Sequence, residues 1–200
     1  MEEEKLEKSF ILELATKRVS IRKFSKKKIS FKKILRILEV ARQAPSGANT
    51  QPWRFIIIDD LKLKKNIRKI CEKIEKNFHK KAPLWLKNWL KNNKISYSKP
   101  FLIEAPYLII VISNKKFPYY KESTWIAIGY MLLAIEEIGL ATLTYTPSNT
   151  EFLKRILNIP YNYSLEAILP IGYPLEKKNK DRKKLSEIIF YNKYGSSFSI

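Results

Sequence analysis

Ala44-Pro45-Ser46-Gly47-Ala48-Asn49-Thr50-Gln51-Pro52 leads directly into Trp53-Arg54-Phe55-Ile56-Ile57-Ile58, and this junction decides the predicted fold. Pro45 ends the preceding helix, because the residue before a proline is pushed out of the helical region. The run 53–58 is apolar on both faces, which is typical of a strand that is covered above and below. The loop before it is polar and restricted by two prolines, and Gly47 permits close approach of its backbone to a ligand. The junction therefore predicts a buried strand with a candidate ligand loop at its start.

The rest of the chain alternates between helical and strand patterns. Apolar periodicity and capping residues predict helices at about 2–17, from Ser30, at about 60–80, at 125–138 and from Ser148, which has capping-box spacing to Glu151. Further buried strands are predicted at 107–112, 140–144 and 166–173. The segment 82–100 has no clear periodicity and is predicted to be irregular. This order predicts an α+β or α/β sandwich with helices on both faces of the sheet, in a single domain that spans residues 1–200.

Composition excludes several kinds of functional site. The chain has 200 residues, of which 45% are apolar, enough for one core. One His and one Cys exclude a zinc or haem site built from these residue types, and also a disulfide within the chain. Neither common glycine-rich phosphate motif occurs, so side chains and backbone N–H groups would have to hold any phosphate.

The formal charge of +20 comes from 31 Lys and only 8 Arg. Surfaces that bind nucleic acid use Arg more freely and concentrate their charge, so we interpret most Lys as solvated. A basic nucleic-acid-binding protein is the alternative that the charge leaves open. The N-terminus is acidic without the apolar core of a signal peptide, and the longest apolar stretches are too short for a bilayer, which predicts a soluble, cytoplasmic protein without a membrane partner.

Four segments have compositions that suit ligand binding. Arg18-Val19-Ser20-Ile21-Arg22 can direct two guanidinium groups and a hydroxyl at one phosphate, although taken alone it fits a water-facing basic loop better. The loop 45–52 offers amide and hydroxyl groups that suit the edge of a heterocycle. Residues 142–147 leave a strand and enter a helix, which is a common ligand position. Lys180-Asp181-Arg182, in a charged tail, carries no information by itself.

The predicted helix 125–138 is apolar nearly all round. Such a helix has almost no face for water, so either the core of a monomer or a partner subunit must cover it. One small domain seldom buries a helix on every side, which favours the partner subunit and hence a homodimer.

Taken together, the segments resemble a known family. R-x-S-x-R, P-S-G-x-N-x-Q-P-W-R-F, an apolar helix ending in G-L, and G-Y-P followed by Arg occur in the order and spacing of the nitroreductase superfamily, over about residues 15–191. Residues 144–149 and 169–174 are most similar to the iodotyrosine deiodinase branch. The resemblance implies a three-layer α/β/α sandwich with a mixed, mostly antiparallel sheet, a lid at about 82–100 and an extended C-terminal dimer arm at about 174–200.

The resemblance also implies FMN, bound without a glycine loop in a site shared across a homodimer. The matching positions for the phosphate and ribityl chain are Arg18, Ser20, Arg22 and Arg182, and the neighbouring cofactor contacts are Val19, Ile21, Asn49, Thr144 and Tyr145. Pro45 and Ser46 match residues that pack on the isoalloxazine from the other subunit. Thr146 matches the catalytic hydroxyl that bonds to flavin N5. For the substrate, Ala48 matches a backbone N–H directed at a phenolate, and Lys99 matches a cation for a carboxylate.

One departure concerns the substrate. The deiodinase branch also grips an amino-acid zwitterion with a Glu and a Tyr one helical turn apart, and an ungapped alignment places Ile74 and Phe78 there, with Glu75 one residue away. We therefore expect an FMN-dependent oxidoreductase that reduces electron-poor aromatics (nitroaromatics, quinones or halophenols) by a ping-pong mechanism with NAD(P)H or another reductant. The alternatives are a reductive dehalogenase of halotyrosine-like substrates and, from other classes, a nucleic-acid-binding protein or a flavin-binding protein without catalysis.

Overall fold

The chain folds into a central sheet with helices on both faces. The structure is a computed structural model that describes residues 9–196. The helices are α1 (Phe10–Lys17), α2 (Phe31–Ala41), α3 (Leu61–Lys81), α4 (Leu84–Asn92), α5 (Phe101–Glu104), α6 (Tyr120–Glu137) and α7 (Glu151–Ile156). The strands are β1 (Trp53–Ile58), β2 (Tyr107–Asn114) and β3 (Tyr163–Ile171). Two short 3-10 turns cover Gly47–Asn49 and Leu185–Glu187.

The sheet has the order β1–β2–β3, and both pairings are antiparallel. Because side chains alternate along a strand, β2 supplies both cores. Leu108 and Ile110 face the cluster that contains α3, α5 and α7, whereas Ile109 and Val111 face the cluster that contains α2 and α6. This arrangement confirms the predicted sandwich, and it explains why the strands are apolar on both faces.

The predicted strand 140–144 is wrong as a continuous strand. The segment makes only isolated bridges: Ala141 pairs with Gly172 and Tyr145 with Ile168 in antiparallel fashion, and Thr142 pairs with Ser20 in parallel. Its backbone groups are divided between two neighbours, so no continuous ladder forms. The parallel bridge nevertheless joins the segment 18–22 to the edge of the sheet.

The segment 82–100 was expected to be irregular, but it contains α4. Its apolar side chains gave no periodic pattern because most of them face outward: Trp85 is 69% exposed and Trp89 50%, while Leu90 is buried. Pro83 stands at the start of this helix, where its missing N–H is tolerated.

Several element ends also differ from prediction. Helix α6 begins five residues before position 125, and β3 begins three residues before position 166. The predicted capping box at Ser148 is wrong, because Thr150 occupies the N-cap of α7 and the Asn149 side chain accepts a bond from the Glu151 N–H at 2.9 Å. The predicted helix 2–17 is present as α1, and its residues 2–8 and the arm residues 197–200 lie outside the described residues. In the described part of the chain, no helix has the length and apolarity to cross a membrane.

Candidate active site

A cavity of about 980 Å³ opens between residues 18–23, the segment 93–101 and the tail 176–182. One carboxylate, Glu176, lines it together with eight cationic side chains: Arg18, Arg22, Lys23, Lys94, Lys99, Lys178, Lys180 and Arg182. The proportion of cations is far above that of the chain as a whole, in which 39 of 200 residues are Lys or Arg. The cavity is therefore built for an anionic ligand.

The C-terminal tail holds the segment 18–22 in place. The Glu176 carboxylate accepts a hydrogen bond from the Arg22 N–H at 2.5 Å. The Lys180 ammonium donates to the carbonyl of Arg18 at 2.8 Å and also to that of Ala15, so it caps the end of α1. Sequence reasoning missed Glu176 and gave Lys180 no role, because a charged tail offers no pattern that separates them from solvated neighbours.

Close packing beside the cavity depends on Gly172. A Cβ at this position would lie 2.8 Å from Cδ1 and 3.1 Å from Cβ of Phe24, closer than side chains pack. Phe24 is buried and forms a bridge with Pro174, and Leu175 N–H donates to the Lys23 carbonyl at 3.0 Å. The glycine thus lets the tail cross the segment that carries the arginines.

The charge of Arg182 repels both Arg18 and Lys180, and the carboxylate of Glu136 opposes that repulsion. Burial lowers the pKa of Arg18, and the positive charge of Arg182 lowers it further. Burial also lowers the pKa of Lys180, and Arg18 and Arg182 add to that shift. A phosphate between these groups would remove the repulsion and supply acceptors for the guanidinium forks, so the donor set fits a phosphate monoester.

A second group of charges surrounds Lys99, near the end of the segment 82–100. Lys99 is 5% exposed and its ammonium stands 3.5 Å from the Glu75 carboxylate, while it donates to the Ser96 carbonyl at 2.7 Å. Burial lowers the pKa of Lys99, and the negative charge of Glu75 opposes that shift. The Glu72 carboxylate accepts from the Lys99 N–H at 2.7 Å and from the Ser98 hydroxyl at 3.1 Å, which ties this end of the segment 82–100 to α3.

The structure places Glu75, and not Ile74, opposite Lys99. Ile74 packs against the core, and Phe78 is 40% exposed, so neither presents a polar group to the cavity. His79 follows Glu75 by one helical turn, with its Nε2 3.9 Å from the carboxylate. Burial and the charge of Lys99 lower the pKa of His79, and Glu75 acts in the opposite sense. The i, i+4 spacing of Glu75 and His79 is the sequence pattern that indicates these two residues, and a shift of the ungapped alignment by one residue stays a prediction.

The loop 45–52 is conformationally strained. Ala48, Asn49 and Gln51 have φ values of 49°, 53° and 44°, in the left-handed region that L-residues avoid. Strain of this kind costs about 1–3 kcal/mol for each residue and is concentrated at functional sites. Hydrogen bonds hold the loop: the Gln51 N–H donates to the Ser46 hydroxyl at 3.0 Å, and the Gly47 N–H donates to a serine of α6.

The predicted contact residues divide between two places. Those that line the cationic cavity are Arg18, Val19, Ser20, Arg22, Lys99 and Arg182. Those that do not line it are Ile21, which is buried in the core, and Pro45, Ser46, Ala48, Asn49, Thr144, Tyr145 and Thr146. Within one protomer the predicted loop contacts therefore stand apart from the arginines.

Residues 144–146 alternate in orientation. Thr144 and Thr146 are exposed, and Tyr145 between them points into the core, where its ring meets Phe101 edge-on at 5.5 Å. The Thr146 hydroxyl donates to the backbone carbonyl of Glu166 at 2.8 Å, which fixes its rotamer. Glu166 is itself buried, and its carboxylate accepts from a serine of β2 and from the indole N–H of Trp125.

No group of His, Cys, Asp or Glu among residues 9–196 could hold a metal ion.

The fold, the cation-lined cavity and the strained loop are the features to compare with known protein families. The sequence profile of the nitroreductase family matches residues 15–173, and the chain belongs to that family. The predicted resemblance is thereby confirmed.

Similarity extends to one branch of the family. The chain is 45% identical over 184 residues to the iodotyrosine deiodinase of Thermotoga neapolitana, which covers 92% of this chain and 98% of that protein. It is 38% identical over 189 residues to the iodotyrosine deiodinase of Nematostella vectensis, covering 86% and 71%. A crystal structure of oxidised iodotyrosine deiodinase bound to FMN and 3-iodo-L-tyrosine superposes with a TM-score of 0.89 at 44% identity, covering 92% of this chain and all of that one.

Proposed function

We propose that this protein is an FMN-dependent oxidoreductase that removes halogen from halotyrosine-like substrates. The observation that carries the proposal is the buried Glu75–Lys99 pair, 3.5 Å apart, of which Lys99 lines the cationic cavity. A carboxylate and an ammonium side by side are complementary to an amino-acid zwitterion, with Lys99 receiving the substrate carboxylate and Glu75 its ammonium group. Glu75 thereby supplies the carboxylate that is missing at Ile74, whereas no Tyr takes the second position, where Phe78 and His79 stand.

FMN fits the remaining donor set. Arg18, Arg22 and Arg182 would bind its phosphate with the hydroxyl of Ser20, and the tail contacts of Lys180 keep Arg18 in position. The bound and reduced flavin supplies the two electrons that, with a proton, replace a carbon–halogen bond by a carbon–hydrogen bond and release halide. The residues of the site would orient the aromatic ring of the substrate and exclude water from it.

A homodimer would complete the site. The loop residues Pro45, Ser46, Ala48 and Asn49 do not line the cavity of their own protomer, so we place them against the cofactor of the partner. The surface that would contact the partner subunit is an exposed apolar face on α6, where Trp125, Ile126 and Tyr130 are 38%, 43% and 39% exposed. Apolar residues of the arm, among them Leu185 and Ile188, are also exposed, which suits the proposed dimer arm 174–200.

Sedimentation and a matched pair of variants test the dimer. We expect a species of about twice 23.6 kDa. Ile126→Glu would place a charge in the proposed interface and should shift the protein to the monomer with loss of flavin, because the loop contacts are lost. Tyr161→Glu, at a residue 83% exposed and outside that face, should leave the dimer intact. A monomeric wild-type protein that retains FMN would contradict the shared site.

The substrate is tested by binding and by halide release. Purified protein should be yellow, and 3-iodotyrosine should quench its flavin fluorescence at lower concentration than 2-iodophenol, which lacks the zwitterion. Lys99→Met should abolish that preference, and Lys94→Met, at an exposed lysine of the same cavity, should keep it. Anaerobic reduction should then release iodide from 3-iodotyrosine. Reduction of nitroaromatics or quinones without iodide release would favour the broader oxidoreductase, and bound flavin without any turnover would favour a non-catalytic flavin protein.

The electron donor and the domain boundaries complete the proposal. We propose NAD(P)H as the reductant, tested by anaerobic bleaching of the flavin absorbance with NADH and NADPH in separate experiments. We further propose one domain for residues 1–200, with residues 82–100 closing over the substrate as a lid. The cytoplasmic location stays a prediction.

A further inference from the structure

The hydroxyl of Tyr145 stands out among the buried polar groups. Within residues 9–196 it is the only buried side-chain oxygen or nitrogen without a hydrogen-bond partner. The residue is 8% exposed, its ring packs on Phe101, and the Lys99 ammonium lies 5.7 Å from its ring centroid. Burying a hydroxyl unpaired costs about 1–3 kcal/mol, so a group retained in this state calls for a role.

Cys71 belongs to the same buried cluster as Tyr145, and Glu75 is the ion-pair partner of Lys99, the ammonium next to the Tyr145 ring. Burial raises the pKa of Tyr145, and the neighbouring Cys71 and Glu75 raise it further, so the phenol keeps its proton and is a donor. Burial raises the pKa of the Cys71 thiol to about 12, which leaves a neutral sulfur that accepts hydrogen bonds only weakly. The Glu75 carboxylate is the stronger acceptor of the two.

Glu75 has acceptor capacity to spare. Its nearest nitrogen donors are the Lys99 ammonium at 3.5 Å and the His79 imidazole at 3.9 Å, both at distances longer than a close charge-assisted hydrogen bond. Lys99 also donates to the Ser96 carbonyl, so its ammonium is shared. A ligand carboxylate that draws Lys99 away would leave Glu75 with a buried charge and an incomplete set of donors.

We propose that Tyr145 is a positioning residue that makes the site selective for substrates carrying an amino-acid group, an inference that rests on the proposed function. When Lys99 turns to the substrate carboxylate, the Tyr145 hydroxyl donates to Glu75 and holds that carboxylate where the substrate ammonium group arrives. The support is rigid, because the backbone of Tyr145 exchanges two hydrogen bonds with Ile168, at 3.0 and 2.7 Å. Tyr145 is also adjacent to Thr146, so substrate recognition and the proposed N5 contact share one short segment.

Tyr145→Phe tests this role, because it removes the hydroxyl and keeps the ring. We expect the affinity of the FMN-loaded variant for 3-iodotyrosine to fall about tenfold, the worth of one hydrogen bond to a charged group. Affinity for 2-iodophenol should stay unchanged, and the melting temperature of the substrate-free protein should not fall, because an unpaired buried hydroxyl has been removed. Tyr163→Phe, which removes a hydroxyl from a residue packed on the same core, should alter neither affinity.

Flavin fluorescence titrations of both ligands distinguish the outcomes. Equal weakening of 3-iodotyrosine and 2-iodophenol, or no weakening of either, would overturn the role assigned to Tyr145 while the wild-type preference for 3-iodotyrosine stands. A wild-type protein without that preference would instead overturn the proposed function and the inference with it.

Discussion

Replacing Glu75 by Gln leaves the Lys99 ammonium buried without its counter-charge, and the size of the effect follows from the structure. The side chains of this pair are only 10% and 7% exposed, and their charged atoms are 3.5 Å apart. Coulomb's law gives about 5 kcal/mol for unit charges at this distance with an effective dielectric constant of about 20. Removing one partner of a buried pair usually costs about 3–5 kcal/mol. Lys99 keeps its bond to the Ser96 carbonyl, so we expect about 3 kcal/mol, or a melting temperature lower by about 6–12 °C.

The loss should shrink as the pH rises. Burial already lowers the pKa of Lys99 below its usual 10.5, and without Glu75 that pKa falls further. At a pH below the pKa of Lys99 in the folded variant, Lys99 is charged in both the folded and the unfolded state, and the full free-energy cost of burying that charge is present. Above that pKa the folded protein releases the proton while the unfolded chain keeps it up to its own, higher pKa, so stability recovers with pH.

Thermal unfolding at equal protein and FMN concentrations, from neutral to alkaline pH, measures both effects. The double variant Glu75→Gln, Lys99→Met is the control, because it removes the unpaired charge and should recover most of the lost stability. A single variant that melts with the wild type, or a double variant no more stable than the single one, would refute the electrostatic explanation.

Three further predictions follow from contacts outside that pair. Gly172→Ala should destabilise the protein by about 1–3 kcal/mol in urea unfolding, because the new Cβ would approach Phe24 to 2.8 Å. Adding Phe24→Leu to the same chain should restore part of the lost stability, and additive losses in the double variant would contradict this explanation. Cys71 is buried and its pKa is raised to about 12, so a thiol reagent at neutral pH should modify the urea-unfolded protein fully and the native protein hardly at all. Rapid labelling of the native protein would show instead that the thiol is accessible. Lys180→Met should release the carbonyl of Arg18 and weaken FMN binding about tenfold in equilibrium dialysis, and unchanged affinity would mean that the tail does not position the phosphate site.

The layered fold could be predicted because its strands are apolar on both faces. Ile109 and Ile110 are neighbours in sequence but belong to opposite cores, so a strand between two helical layers leaves a continuous apolar run. Helix α4 left no such pattern, since Trp85 and Trp89 point outward and only a few side chains record its period. The elements that were missed are therefore those whose stability does not come from a periodic buried face.

The charged part of the site needed the structure for a different reason. Ile74 and Glu75 are adjacent in sequence, and about 100° of helical rotation decides which of them faces Lys99. Sequence spacing alone tolerates an error of one residue, whereas the structure shows which side chain makes which contact: Glu75 pairs with Lys99, and Ile74 packs against the core. The ionic contact thus identifies Glu75 as the residue that faces Lys99.

The separation of the predicted contacts into two places bears on assembly as well as on sequence. The chain gathers its arginines, residues 93–101 and its tail around the cationic cavity, while the strained loop 45–52 stands outside that cavity. Strained backbone persists only where the surrounding structure fixes it; here the Gln51–Ser46 bond fixes the loop internally, and the bond from the Gly47 N–H ties it to α6. The apolar residues that α6 exposes, Ile126 among them, lie on the same helix that holds this loop. A second protomer seated on α6 would cover the apolar face and meet the loop at once, so a single contact would account for both features.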